Sequence, residues 1–179
     1  MRRGEVLGLR WKDIAWEQGK LSIRQTVYRT RQGLIFQEPI TKNSKRQISL
    51  PDYVLSSLRR HRSDQNKQKL LLGGLYNDHD LVVCTDEGKP IEPRNLVRHF
   101  DRMIKESEVQ KIRFHDLRHT HATILLQLGE HPKVVSERLG HSRVSVTLDT
   151  YSHVLPDMQK DAANNFEQAM NEKKAKKSL

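Results

Sequence analysis

The sequence predicts a mostly helical α+β domain with a small three-stranded antiparallel sheet, and three observations lead there. Apolar residues recur at intervals of three and four at Val54, Leu55 and Leu58, at Leu96, Val97, Phe100, Met103 and Ile104, and at Leu117, Ile124, Leu125 and Leu128. That is the spacing of helices with one buried face. Between residues 20 and 50 the pattern becomes a partial alternation through Leu21, Ile23, Val27, Leu34, Ile35, Ile48 and Leu50, broken at Gly19 and Gly33, which predicts three short strands. A chain of 179 residues without an internal repeat fits one domain, 1–179, with a substantial core.

Taken in order, Val6, Leu7 and Leu9 among charges read as the end of an amphipathic helix that begins before Met1. The strands follow, with Lys42 in their second connection. Pro51 suits a first helical position, Val54, Leu55 and Leu58 face inward, and the basic run 59–69 reads as a solvated face. After a loop at Gly73 and Gly74, Leu81, Val82 and Val83 predict a short strand, with Cys84 beside them as a small buried side chain. Pro93 starts a helix whose apolar stripe reads as core. The next helix buries Leu117, Ile124, Leu125 and Leu128 and stops at Gly129; another runs from Pro132 to a stop at Gly140. These two short helices also match a helix-turn-helix, a pattern that any helical domain with tight connections produces. Past Pro156, Met158, Ala162, Phe166 and Met170 share one face of a last helix, and a basic tail closes the chain at about 171–179.

Composition narrows the function. Thirty-two Lys and Arg against 22 acids give a net charge of +10, which predicts a polyanionic partner, nucleic acid before an anionic membrane surface. Mean hydropathy is −0.76, and apolar runs are too short to span a membrane. A single cysteine excludes a disulfide within the chain. With no apolar signal segment at the start, a reducing cytoplasm is the expected compartment.

The chemistry concentrates between residues 114 and 153. His115 and Arg118 are three apart, so on a helix they share a face and can reach one ligand together; their partner looks anionic. His141 and Tyr151 are separated by a turn and most of a helix, so an imidazole and a phenol could converge on the same anion, with Tyr151 as nucleophile. Each residue has a plainer reading: His115 as a satisfied helix histidine, Arg118 as a surface ion-pair arginine, His141 as a helix-end neighbour, Tyr151 as a core tyrosine, Lys42 as a solvated lysine. A metal site is a rival, since His115 and His119 are four apart and His121, His131 and His153 lie near in sequence. Against it, the metalloprotease pattern needs Glu directly after the first His, where this chain has Asp116, and there is no cysteine cluster.

The His115-x-x-Arg118 run, the Leu139-Gly140-His141-Ser142 run and the downstream Tyr151 resemble the tyrosine recombinase (phage integrase) family, in its conjugative-transposon and temperate-phage branch. The opening run from Met1 to Ile14 resembles that family's first arginine box, with Arg2 on the catalytic arginine and Glu5 on its acidic neighbour. Thr41-Lys42-Asn43-Ser44-Lys45-Arg46 resembles the hairpin that carries the catalytic lysine. The resemblance implies the fold of a recombinase catalytic domain, with the DNA-binding domains that lie upstream in relatives absent from this chain. It implies a site of Arg2, Lys42, His115, Arg118, His141 and Tyr151, supported by Glu5, with no cofactor and no metal. In that scheme Arg2 and Arg118 clamp a phosphate, His115 takes a proton beside it and His141 hydrogen-bonds it. Lys42 protonates the departing 5′ hydroxyl, and Tyr151 forms a 3′-phosphotyrosyl link. The link conserves the phosphodiester energy, so rejoining needs no ATP.

The implied partners are double-stranded DNA at attachment sites, a homotetramer on DNA formed from free monomers, and an excisionase or host DNA-bending protein. The last helix docks on a neighbouring protomer in relatives, so Tyr151 is expected to lie outside the cleft when DNA is absent. The alternatives are a DNA-binding fragment without activity, and nicking and resealing like a type IB topoisomerase.

Overall fold

The computed structural model describes residues 1–38 and 45–152, together with 163, 164, 166, 167, 170 and 171. Helix α1 (Arg3–Leu7) starts within the chain instead of continuing from before Met1. Arg2 is extended and its backbone N–H donates to the Glu5 carboxylate at 2.7 Å, which fixes the helix start. Gly4 lets α1 lie against the backbone at residue 27, since a Cβ there would sit 2.7 Å from the Val27 carbonyl oxygen.

The strands differ from expectation. Among the described residues five form, β1 (Ile14–Ala15), β2 (Lys20–Ile23), β3 (Thr26–Thr30), β4 (Gly33–Gln37) and β5 (Arg46–Ser49), in two separate antiparallel sheets. One is three-stranded, β1-β2-β5, with Leu21 opposite both Ile14 and Ile48. The other is the β3-β4 hairpin, so Val27, Leu34 and Ile35 do not join the first sheet. Its true third strand is two residues long, too short to show alternation.

Leu9, Trp11, Ile14, Leu21, Ile23, Ile48 and Val82 form the first core. Helix α2 (Asp52–Leu72) runs along it, burying Leu55. The basic run on α2 is not wholly solvated: Trp11 Nε1 donates to Gln65 Oε1 at 2.6 Å, and a His61 ring nitrogen lies 2.7 Å from the Val82 carbonyl. Leu81–83 makes no strand, only a bridge to Arg10, because Leu9 and Trp11 supply just two backbone bonds on that side. Cys84 is half-buried, and its Sγ accepts from Gln65 Nε2 at 2.9 Å. In α3 (Pro93–Glu106) only Pro93 is buried; Met103 is 51% exposed, so the stripe read as core is left half open.

The second core is helical. Ala122 and Leu126 of α4 (Asp116–Gln127), Val135 and Leu139 of α5 (Pro132–Leu139) and Tyr151 at the end of α6 (Val144–Tyr151) meet there. The buried face of α4 is Arg118, Ala122 and Leu126, at i, i+4 and i+8, while Leu117, Ile124 and Leu128 are exposed. Of the four residues expected on its buried side only Leu125 packs against this core, because an apolar stripe was assumed to mark the buried face and an arginine was not. Both glycine stops hold, with φ of 82° at Gly129 and 72° at Gly140. Of the last apolar face, Met158 and Ala162 lie outside the described residues, while Phe166 and Met170 are exposed. Among the described residues no helix is long and apolar enough to cross a membrane.

Candidate active site

The two cores meet along a charged seam, and Glu5 is its hub. Its carboxylate is 5% exposed and accepts from Arg46 Nη1 and Nη2 at 3.0 and 2.9 Å, from Arg2 Nη1 at 3.1 Å and from the Arg2 backbone. Burial alone would raise the Glu5 pKa; the hydrogen bonds and charge of Arg46, then those of Arg2, outweigh it and bring it to about 2. Arg46 closes the lysine-bearing run, and sequence reasoning missed its role. The signal was available, since alternation along β5 puts Arg46 on the same face as the buried Ile48.

These arginines also serve the end of α5. Arg46 Nε donates to the Arg138 carbonyl at 2.9 Å, and Arg2 Nη2 donates to the Gly140 carbonyl at 3.3 Å. Carbonyls at a helix C-terminus have no partner within the helix and carry partial negative charge, which is why cations gather there. Gly140 in left-handed backbone turns the chain so that His141 follows directly. Its Nδ1 lies 2.8 Å from the Oγ1 of Thr147, a residue with no exposed surface. Burial, then the charges of Arg118, Arg2 and Arg46, push the His141 pKa down to about 4, so the imidazole is neutral at pH 7.

Arg118 enters from α4 and is 6% exposed, yet its Nη1 and Nη2 have no hydrogen-bond partner among the described residues. Burial first, then Arg2 and Arg46, bring its pKa to about 10, still charged at neutral pH. A buried cationic fork without an acceptor is costly, and a phosphate oxygen pair is the group that fits it. His115 is the residue just before α4 and is exposed. Its ring lies edge-on to His119 at 4.9 Å. Partial burial, His119 and Arg118 lower its pKa.

Tyr151 does not lie outside this cluster. It is 3% exposed, and its hydroxyl is 2.8 Å from His119 Nδ1. Burial raises the phenol's pKa and the nearby Arg118 charge opposes that rise. The partner of the phenol is thus His119, not the His115 to which the resemblance gave the proton. His119 drew attention in the sequence only as a metal-ligand rival. Among the described residues no three His, Cys, Asp or Glu gather as metal ligands. Lys42 lies outside the described residues. Beside His141 and Arg46 opens a cavity of about 640 Å³ lined by Lys45, Lys133, Arg138 and Arg143 together with Glu137.

The chain is 35% identical over 178 residues to a XerC-like tyrosine recombinase of Caldanaerobacter subterraneus subsp. tengcongensis, covering 93% of this chain and 46% of that protein. It is 31% identical over 167 residues to the ICEBs1 integrase of Bacillus subtilis, covering 93% and 45%. The chain therefore spans about half the length of these curated relatives. Its fold is that of the Tn1549 transposon integrase solved in complex with transposon right end DNA, with a TM-score of 0.76 at 22% identity over 93% of this chain and 55% of that one. A match to the phage integrase family covers residues 1–158, the stretch that holds every member of the cluster around Glu5 and Arg118, and the chain belongs to that family.

Proposed function

We propose that the chain is the catalytic part of a site-specific DNA recombinase, which cleaves and rejoins double-stranded DNA through a 3′-phosphotyrosyl intermediate to integrate or excise a mobile element. The observation that carries this reading is the buried fork of Arg118, without a hydrogen-bond partner among the described residues and set among Arg2, His141 and Tyr151. Attack at phosphorus builds negative charge on the non-bridging oxygens, and fixed cationic donors stabilise that charge where it develops. Arg118 and Arg2 bind those oxygens. His141, neutral and held at Nδ1 by Thr147, offers Nε2–H to the phosphate, with His115 at the rim. Glu5 and Arg46 hold Arg2 and the end of α5 in place. Lys42, on the segment between β4 and β5, supplies the proton to the leaving 5′ oxygen. The names of the relatives, a recombinase and an integrase, and a fold neighbour held on transposon end DNA support the assignment.

The substrate is duplex DNA at attachment sites. The active assembly is a homotetramer formed on DNA from free monomers, with an excisionase or host DNA-bending protein setting direction. A nicked suicide substrate tests the reading: the wild-type chain should form a covalent protein–DNA adduct, and Tyr151→Phe should form none while binding DNA within about twofold of wild type. Binding without an adduct would leave a DNA-binding fragment. An adduct with resealing but no recombinant joints would indicate topoisomerase-like chemistry.

A further inference from the structure

The phenol of Tyr151 has to lose a proton to act as a nucleophile, and the groups around it differ in whether they can take one. Arg118 lies close enough for its charge to act on the phenol, but a guanidinium has no acceptor lone pair. His141 presents its Nδ1 to Thr147 at 2.8 Å. His115 is exposed and meets the ring of His119 instead of the phenol. The remaining neighbour is His119, one residue after Arg118 on α4, whose Nδ1 lies 2.8 Å from the Tyr151 hydroxyl with the ring centroids 5.8 Å apart. The contact joins α4 to the end of α6 across the second core, between residues 32 apart in sequence.

We propose that His119 is the proton acceptor for Tyr151, a catalytic residue of the recombination reaction. The proposal rests on the recombinase reading. In the cleavage step the Tyr151 O–H bond breaks and its proton passes to His119 Nδ1, giving an imidazolium, while the phenolate oxygen forms a bond to phosphorus. The bond from phosphorus to the 5′ oxygen breaks with its electron pair left on that oxygen, which takes up a proton from Lys42. Rejoining runs the same transfers backwards, with His119 returning the proton to the phenol as the 5′ hydroxyl attacks. Because an imidazole nitrogen can both accept a proton and return it, one side chain can serve both directions. Arg118 stabilises the phenolate as it forms. The charged and titratable groups facing His119 are His115 and Asp116 beside it, Arg118 on the same helix, His141 before α6 and Tyr151 itself.

Two measurements on the full chain test this. Nitrogen-15 chemical shifts of histidine-labelled protein should show His119 with its proton on Nε2 and Nδ1 unprotonated, and Tyr151→Phe should move the Nδ1 resonance; a proton fixed on Nδ1 would overturn the proposal. On the suicide substrate, His119→Asn keeps a hydrogen-bonding group near the Nδ1 position but no base. Adduct formation should slow about 100-fold, with the acid limb of the wild-type pH–rate profile lost and DNA affinity within twofold. His115→Asn should retain that limb. If His119→Asn keeps the limb or reacts within threefold of wild type, His119 is not the acceptor and the recombinase reading stands. If the wild-type chain forms no adduct, the recombinase reading falls and this proposal falls with it.

Discussion

Burying a guanidinium without a hydrogen-bond acceptor costs about 1–3 kcal/mol, and among the described residues neither Nη atom of Arg118 has one. Arg118→Met keeps much of the volume and removes the charge, so the free chain should be more stable by about 1–2 kcal/mol, read as a raised urea midpoint. The same variant should form no adduct. A loss of stability instead would mean that the fork has a stabilising partner. The H-x-x-R pair pointed to chemistry because its spacing would let two donors reach one ligand. Its burial was not legible, because Leu117, Ile124 and Leu128 around it look more like a core face than Arg118 does, although all three are exposed.

At the scale of elements, the C-terminal end of α5 is where the two cores are fastened. A Cβ on Gly140 would lie 2.8 Å from Arg46 Nη1 and 3.0 Å from its Cζ, in backbone at φ +72°. Gly140→Ala should therefore cost more than the roughly 1 kcal/mol expected from left-handed backbone alone, and should weaken DNA cleavage by shifting Arg46 and His141. Arg46→Ala should cost about 3 kcal/mol, because it strips a buried carboxylate of its main partner, and Arg46→Lys should recover only part of that, since an ammonium cannot make the paired contact. Thermal melts of the three variants check the order. The stop at Gly140 and the helix before it were readable from glycine and proline placement. Alternation along β5 shows that Arg46 turns inward, but not what it meets, because it is one of 32 basic residues and its partner Glu5 lies 41 residues away. A three-stranded antiparallel sheet is present as expected, but which strands form it was not legible for a related reason: β1 is paired by position in the fold, and two residues carry no period.

For the whole molecule, acid should act in two stages. The folded His141 pKa of about 4 lies below its ordinary 6.5, so the unfolded chain takes up that proton first and stability declines as pH falls from 6.5 towards 4. The Glu5 pKa of about 2 lies below its ordinary 4.5, so its contribution is present above 4.5 and is lost as pH falls towards 2. Melting temperatures from pH 8 to 3 should show both stages. Added sulfate should raise the curve and flatten the first stage, because an anion in the cluster favours charged His141; no response to sulfate would argue against a phosphate site. The +10 charge predicts DNA binding that weakens at least about tenfold between 50 and 200 mM salt, and a flat titration by fluorescence anisotropy would remove nucleic acid as the main partner.

The chain's two tryptophans, Trp11 and Trp16, are stacked with ring centroids 6.1 Å apart, and both belong with the first core. Intrinsic emission therefore reports on the sheet side of the molecule and not on the α4–α6 side, whereas far-ultraviolet dichroism is weighted towards the helices. If the Glu5–Arg46 seam makes the two cores one cooperative unit, the two optical signals will trace a single urea transition. In Arg46→Ala they should separate, turning a pair of indoles remote from the chemistry into a gauge of how firmly the halves of the site are joined.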